Sequence, residues 1–228
     1  KEAHLEYLRI SPFFMNKECS LRLHILFGLF VGLLVGMNLL GNKITTLFGV
    51  SVSVGIFMVP LTFLITDIIE EVYGKEVVKH FIIAGVLTII LMFLFTGLCI
   101  WLPPNERFAN NEEYKLIFGS SMRIMVASVI AFALAQLHDM WSFAYWKNKT
   151  HGKFLWLRNN LSTWVSQAID TFVFMMIAFY HITDKFTLEF IIQLSIPYYL
   201  FKVSFAILDT PFVYLGVAWL KGNKNKSS

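Results

Sequence analysis

The sequence predicts an all-α integral membrane protein, a six-transmembrane-helix bundle with both termini cytoplasmic. Three observations carry that expectation. Of 228 residues, 57% are hydrophobic and 15% charged, against about 45–50% and about 25% in soluble domains, and no small water-soluble core could bury that excess. Six apolar stretches approach the roughly 20 residues that cross a hydrocarbon layer. Lysine and arginine are also distributed unevenly between the segments that join them.

The spans follow in order. The first, near 23–40, has no Lys, Arg, Asp or Glu. Residues 1–22 mix charges and lack a cleavage-site pattern, so this run is expected to stay in the membrane. The second, near 51–69, contains Pro60 and Asp67. The third, 81–102, is uncharged. The fourth, 124–146, encloses His138 and Asp139, and the fifth, 161–180, encloses Asp170. The sixth lies within 190–220 and holds Lys202 and Asp209. It is longer than the hydrocarbon is thick, and Pro197 and Pro211 offer places to kink or break it. Residues 103–121 read as the longest outside loop. The whole chain, 1–228, reads as one transmembrane domain. Thirteen lysines and arginines fall in the N-terminal tail, the loops after spans 2 and 4 and the C-terminal tail; five fall on the other side. That bias puts both tails in the cytoplasm. It also accounts for the net charge of +4 without nucleic acid. Cys19 and Cys99 fall on opposite sides of such a bundle and form no disulfide framework.

Ionisable groups inside a bilayer cost about 2.5–3.5 kcal/mol each on insertion scales, so they mark sites or interhelical pairs. Four spans carry them: Asp67, Asp139, Asp170, and Lys202 with Asp209. Helical spacing groups them with other polar residues. Asn160, Thr163, Gln167, Asp170 and Thr171 share one arc of span 5. Ser128, Gln136, Asp139 and Ser142 share a face of span 4, with Trp141 and Tyr145 nearby. Thr62, Thr66, Glu70 and Tyr73 line one side of span 2, where Pro60 would free a backbone carbonyl to a cavity. Ser195, Lys202 and Asp209 lie seven apart. Lys202 is the one intramembrane cation and needs a partner among Asp67, Asp139, Asp170 and Asp209. Gln136-x-x-Asp139 and Gln167-x-x-Asp170 repeat with an offset of 31, as in a weak internal duplication. These groups are expected to turn inward together and line one cavity; interhelical hydrogen bonding would use the same residues. His138 reads as an interhelical hydrogen bonder.

No phosphate loop, no Cys/His metal spacing, no H-E-x-x-H and no G-x-S-x-G occurs. No metal, cofactor or catalytic set is therefore expected, and the chain should not hydrolyse ATP itself.

Two stretches carry a resemblance. PLTFLITDIIEEVYG at 60–74 and RNNLSTWVSQAIDT at 158–171 resemble the queuosine precursor transporter family, also called the VUT family. The likeness extends over nearly the whole chain in span number and order. It implies a multi-pass protein of the bacterial inner membrane that takes up a 7-deazaguanine precursor of queuosine for tRNA modification. The cargo would be the cyano form, the aminomethyl form or queuine. No nucleic acid need touch it; its partners would be the base and membrane lipid, with oligomeric state open, a homodimer included. For such a flat base, Asp67 or Asp170 would accept from the N–H edge. Asn159, Asn160 and Gln167 would orient it, and Trp141 or Trp164 would stack on it. Thr66, Glu70, Thr163, Gln136, Asp139, Lys202 and Asp209 complete the expected binding set. Two other readings stay open: a substrate-binding subunit that depends on separate ATPases, as in energy-coupling-factor importers, and an intramembrane enzyme using Asp139, Asp170 or His138.

Overall fold

The computed structural model describes residues 17–150, 155–208 and 210–221; side chains at 17–20, 75, 155–163, 206, 207, 210 and several positions between 136 and 148 are outside that description. Among the described residues there are seven α-helices and one β-hairpin: α1 Lys17–Leu40, β1 Ile44–Leu47, β2 Val50–Ser53, a 3₁₀ turn Val54–Phe57, α2 Val59–Tyr73, α3 Lys75–Trp101, α4 Asn111–Lys149, α5 Leu155–Phe179, α6 Leu188–Leu208 and α7 Thr210–Lys221.

Three helices contain segments long and apolar enough to cross a membrane: Leu21–Leu40, Glu76–Trp101 and Asn111–Ala135. The expected spans at 23–40, 81–102 and 124–146 fall on these. The span expected at 161–180 falls on α5, whose apolar stretch Trp164–Phe179 is shorter. The outward surface suits lipid. On α3, Ile83, Leu87, Ile90, Leu91, Leu94, Phe95 and Leu98 are exposed while Phe81 and Ile89 are buried. A helix this apolar on its open face can rest only against hydrocarbon or another protein. The chain is a helical membrane protein.

Span 2 is corrected by the structure. Residues 51–58 are not α-helical. They form the second strand of an antiparallel hairpin and a 3₁₀ turn. Ile44 pairs with Ser53 and Leu47 with Val50, and the two-residue turn uses positive φ at Phe48 (50°) and Gly49 (81°), the geometry that matches strand twist. The β-branched residues Ile44, Thr45, Thr46, Val50 and Val52 favour the pleated form. Ser53 Oγ donates to Gly41 O at 2.6 Å and ties the hairpin to the end of α1. The helix that follows has 15 residues, with Pro60 in its first turn, where proline costs no hydrogen bond. Pro60 therefore begins a helix and does not break one.

The remaining corrections concern boundaries. Helix α4 has 39 residues and starts at Asn111, so half of the loop expected at 103–121 is helical. The expected span at 190–220 is divided into α6 and α7 on either side of residue 209, which is outside the described residues. Pro197 sits inside α6 and removes the donor to the Gln193 carbonyl. Gly74, at φ 82°, permits the reversal between α2 and α3 that a side chain would strain.

Two apolar clusters hold the bundle. One joins the hairpin and 3₁₀ turn to α4, α5 and α6 through Val52, Ile56, Ile124, Met175, Phe179 and Leu194. The other joins α1, α2, α3 and α7 through Leu26, Phe30, Ile69, Phe81 and Leu220. In the second, α3 approaches α1 at Gly85, where an added Cβ would lie 2.4 Å from Leu34 Cδ1.

Candidate functional site

Between the two clusters lies a cavity of about 330 Å³. Every helix from α1 to α6 contributes to its wall, as does the segment from Gly41 to Gly55. The spacing of the lining residues shows why. On α2 they are Val59, Thr62, Phe63, Thr66 and Glu70; on α5 they are Gln167, Asp170 and Phe174; on α6 they are Tyr198 and Lys202. Steps of three and four keep each set on one helical face.

The polar groups cluster on this wall. Lys202 Nζ donates to Asp170 Oδ2 at 2.6 Å across the α5–α6 contact. The lysine residue is only 8% exposed, and its ammonium lies 5.9 Å from the Tyr198 ring centroid. Of the four carboxylates open to Lys202 in the sequence, Asp170 is the partner found. One turn before Asp170, Gln167 Oε1 is buried with no hydrogen-bond partner among the described groups. Buried acceptors are nearly always satisfied by protein or water, so this one, on a cavity wall, is open to a donor from water or from a bound molecule. Nearer the hairpin, Asn38 is 1% exposed. Ser128 Oγ donates to Asn38 Oδ1 at 2.8 Å, and Asn38 Nδ2 donates to the Leu34 carbonyl at 2.8 Å. Thr62 and Thr66 donate to backbone carbonyls within their own helix. Aromatic faces come from Phe30, Phe63, Phe132, Phe174 and Tyr198. Glu70, Asp170 and Lys202 are the ionisable acids and bases on the described wall, apart from the Tyr198 phenol.

The expected site residues therefore divide. Thr66, Glu70, Gln167, Asp170 and Lys202 are brought together. Asp67 is exposed and does not line the cavity; one residue past Thr66, it is turned about 100° around the helix. Trp141 is 65% and Trp164 43% exposed, and neither reaches the cavity. Trp141 instead stacks on Tyr145, with centroids 5.7 Å apart. The side chains of Gln136, Asp139, Asn159, Asn160 and Thr163, and all of Asp209, are outside the described residues. His138 bridges helices, its Nδ1 lying 3.0 Å from Ser166 Oγ. Among the described residues no group of three or more His, Cys, Asp or Glu could hold a metal ion.

Sequence reasoning missed Asn38, Phe63, Phe132, Phe174 and Tyr198 as wall residues. Phe174 follows Asp170 by four and Tyr198 precedes Lys202 by four, so the helical step from the ionised residues would have found both. Asn38 is, with His24, one of two polar side chains in the first span, a signal of the same kind as the buried charges.

No solved structure matches the chain. Among characterised sequences, a Bacillus subtilis (strain 168) protein named "Probable queuosine precursor transporter" is 29% identical over 205 residues, covering 88% of each chain. The Escherichia coli (strain K12) "Queuosine precursor transporter" is 26% identical over 171 residues, 75% of each chain. A Haemophilus influenzae relative, also named "Probable queuosine precursor transporter", is 28% identical over 159 residues, 68% of this chain and 63% of its own. The family model described as "Putative vitamin uptake transporter" matches residues 53–216. That segment begins at the last hairpin residue, ends in α7 and contains most of the cavity wall. An apolar helical bundle enclosing a hollow with a few convergent polar groups on a mostly apolar wall is what a carrier requires, and the chain belongs to the vitamin uptake transporter (VUT) family, a family of membrane transporters and not of enzymes.

Proposed function

We propose that this chain imports a 7-deazaguanine precursor of queuosine across the bacterial inner membrane, as a multi-pass protein with six spans and both termini in the cytoplasm. The observation that carries the reading is the pair of acceptors on α5: Gln167 Oε1, buried and unfilled, and the Asp170 carboxylate one turn on, both on the cavity wall. A deazaguanine presents an N–H and NH₂ edge that needs acceptors, which these two side chains supply, and a carboxylate strengthens those bonds. Asn38 Nδ2 has a second N–H that can serve the base carbonyl. Phe63, Phe132, Phe174 and Tyr198 offer apolar faces to the ring. The hollow of about 330 Å³ sits at the small end of the roughly 300–1,000 Å³ typical of ligand sites. The names of the relatives give the same ligand class. Within that class the negative Asp170 and Glu70 favour a neutral or cationic base, which the cyano and aminomethyl forms satisfy respectively.

The test is a thermal-shift screen of the purified protein with guanine, 7-cyano-7-deazaguanine, 7-aminomethyl-7-deazaguanine and queuine. A ligand at a hundred times its Kd stabilises the folded state by about 2.7 kcal/mol, so a true ligand raises the unfolding temperature in a concentration-dependent way. The deazaguanines should do so and adenine should not, because its edge presents an acceptor where guanine presents a donor. No shift with any of the four bases would remove the reading.

A further inference from the structure

A carrier that delivers its cargo must return empty. This poses a problem at Asp170, which loses its ligand when the base departs. A bare carboxylate in a closed bundle would carry the full cost of desolvation through the return step. Many carriers meet that cost with a proton or metal cation from solution.

Here the neutralising charge is already in place. Lys202 stands on α6, across from Asp170 on α5, with Nζ 2.6 Å from Oδ2. Its side chain is 9% exposed and that of Asp170 is 23% exposed. Tyr198, one turn before Lys202, holds its ring 5.9 Å from the ammonium, a distance at which an aromatic face attracts a cation. Lysine is chemically suited to such a role, because a compact charge on a flexible stem can shift with its partner without leaving it. The other ionised group on the described wall is Glu70 on α2; it has contacts of its own.

Resting on the substrate reading above, we infer that Lys202 is a tethered counter-cation. It neutralises Asp170 whenever the cavity holds no base, so that the empty carrier reorients without taking up a proton or a metal ion. When the base enters, its N–H edge engages Asp170 through Oδ1, and the ammonium keeps its contact with Oδ2, so neither charge is left alone. Loaded and empty states then both hold a satisfied carboxylate. Uptake of a neutral base is driven by its own concentration gradient.

The full chain in proteoliposomes tests this with labelled 7-cyano-7-deazaguanine. Two rates are compared: net uptake into empty vesicles, which needs the empty return, and exchange into vesicles preloaded with unlabelled base, which does not. For the unsubstituted protein, net uptake should be the same with and without an imposed sodium or proton gradient. In Lys202→Gln, net uptake should fall by about tenfold or more relative to exchange, since the return step now carries an uncompensated charge. Lys202→Arg should keep the original ratio. Net uptake and exchange falling by one common factor in Lys202→Gln, or both staying unchanged, would overturn the inference. So would a requirement for either gradient in the unsubstituted protein, an arm that holds even where the glutamine variant fails to reach the membrane. Absence of both uptake and exchange by the unsubstituted protein would overturn the substrate reading first, and this inference with it.

Discussion

The molecule forms ion pairs of one chemistry in two settings, and they differ in what they can do. At the start of α3, Lys79 Nζ lies 2.7 Å from Glu76 Oε1, with both side chains about 60% exposed. At the start of α4, Lys115 Nζ lies 3.0 Å from Glu112 Oε1. Both link neighbours three residues apart on one helix. The third pair, Lys202 with Asp170, spans 32 residues, joins two helices and lines a cavity. Distance alone does not separate the three. Setting does: water screens the first two, whereas the third is largely buried, its side chains 9% and 23% exposed, so an unpaired member finds far less solvent to replace its partner. Among these three pairs, a salt bridge signals a site where it crosses between helices inside the bundle.

The strongest way to break that contrast is to remove one member of the inner pair. Asp170→Ala leaves the Lys202 ammonium buried without its carboxylate, at a cost of about 3–5 kcal/mol. It also deletes the acceptor assigned to the base. Uptake should be abolished, and the unfolding temperature in detergent should fall by several degrees, read with expression in the membrane held constant. An Asp170→Ala protein with wild-type uptake and stability would reduce the inner pair to the status of the outer two.

A smaller effect is expected at Arg123, a cation held by a different means. Its Nε donates to the Ile177 carbonyl at 2.6 Å, and its Nη2 donates to the Tyr180 carbonyl. These are end-of-helix oxygens of α5 that have no partner within the helix, and a cation there also meets the negative end of the helix dipole. Hydrogen bonds to charged groups contribute about 1.5–3 kcal/mol. Arg123→Met keeps the stem and removes the donors, so stability should drop by about 2 kcal/mol or less. Binding of the base should be nearly unchanged, since Arg123 does not line the cavity. Loss of binding with stability intact would show that the cation acts on the site and not on the helix end.

These residues also show how far the sequence could be read. The apolar spans at 23–40 and 81–102 were legible because lipid imposes length and composition on them directly. Gln167, Asp170, Thr66, Glu70 and Lys202 were legible as one set because the cost of burying polar groups draws them to a shared interior, and helical spacing marks the face. The hairpin at 44–53 was not. Its alternation of Thr and Ser with Val and Ile is only two strands of four residues, and a hydropathy reading takes Ser51 to Phe57 as more of the same span. Asp67 differs for another reason. The motif that contains it is recognisable as a string, but Asp67 stands about 100° around the helix from Thr66, off the face that Thr62, Thr66 and Glu70 turn to the cavity. Trp141 and Trp164 misled because aromatic side chains serve lipid-facing surfaces as well as ligands.

The smallest expected effect belongs to the outer pairs, and it sharpens the contrast from the other side. Lys79→Gln and Lys115→Gln each remove one exposed cation from an i,i+3 pair at a helix start. At such positions lysine also opposes the helix dipole, which favours the glutamates that remain, so part of the loss is offset. Neither substitution should shift the unfolding temperature measurably at physiological ionic strength, and uptake of the base should match the unsubstituted protein. Orientation is the exception to test. Lys79 belongs to the basic segment expected to stay in the cytoplasm, whereas Lys115 lies on the side poor in positive charge. Moving charge across, as in Lys79→Gln combined with Asn110→Lys in the expected outside loop, weakens the bias that sets topology. Reporter fusions at the C-terminus would then show a mixed population, while each single substitution would leave the tail on one side. A stability loss from either single outer variant comparable to that of Asp170→Ala would mean that exposure does not govern the value of these pairs, and the distinction between inner and outer pairs would have to be drawn on other grounds.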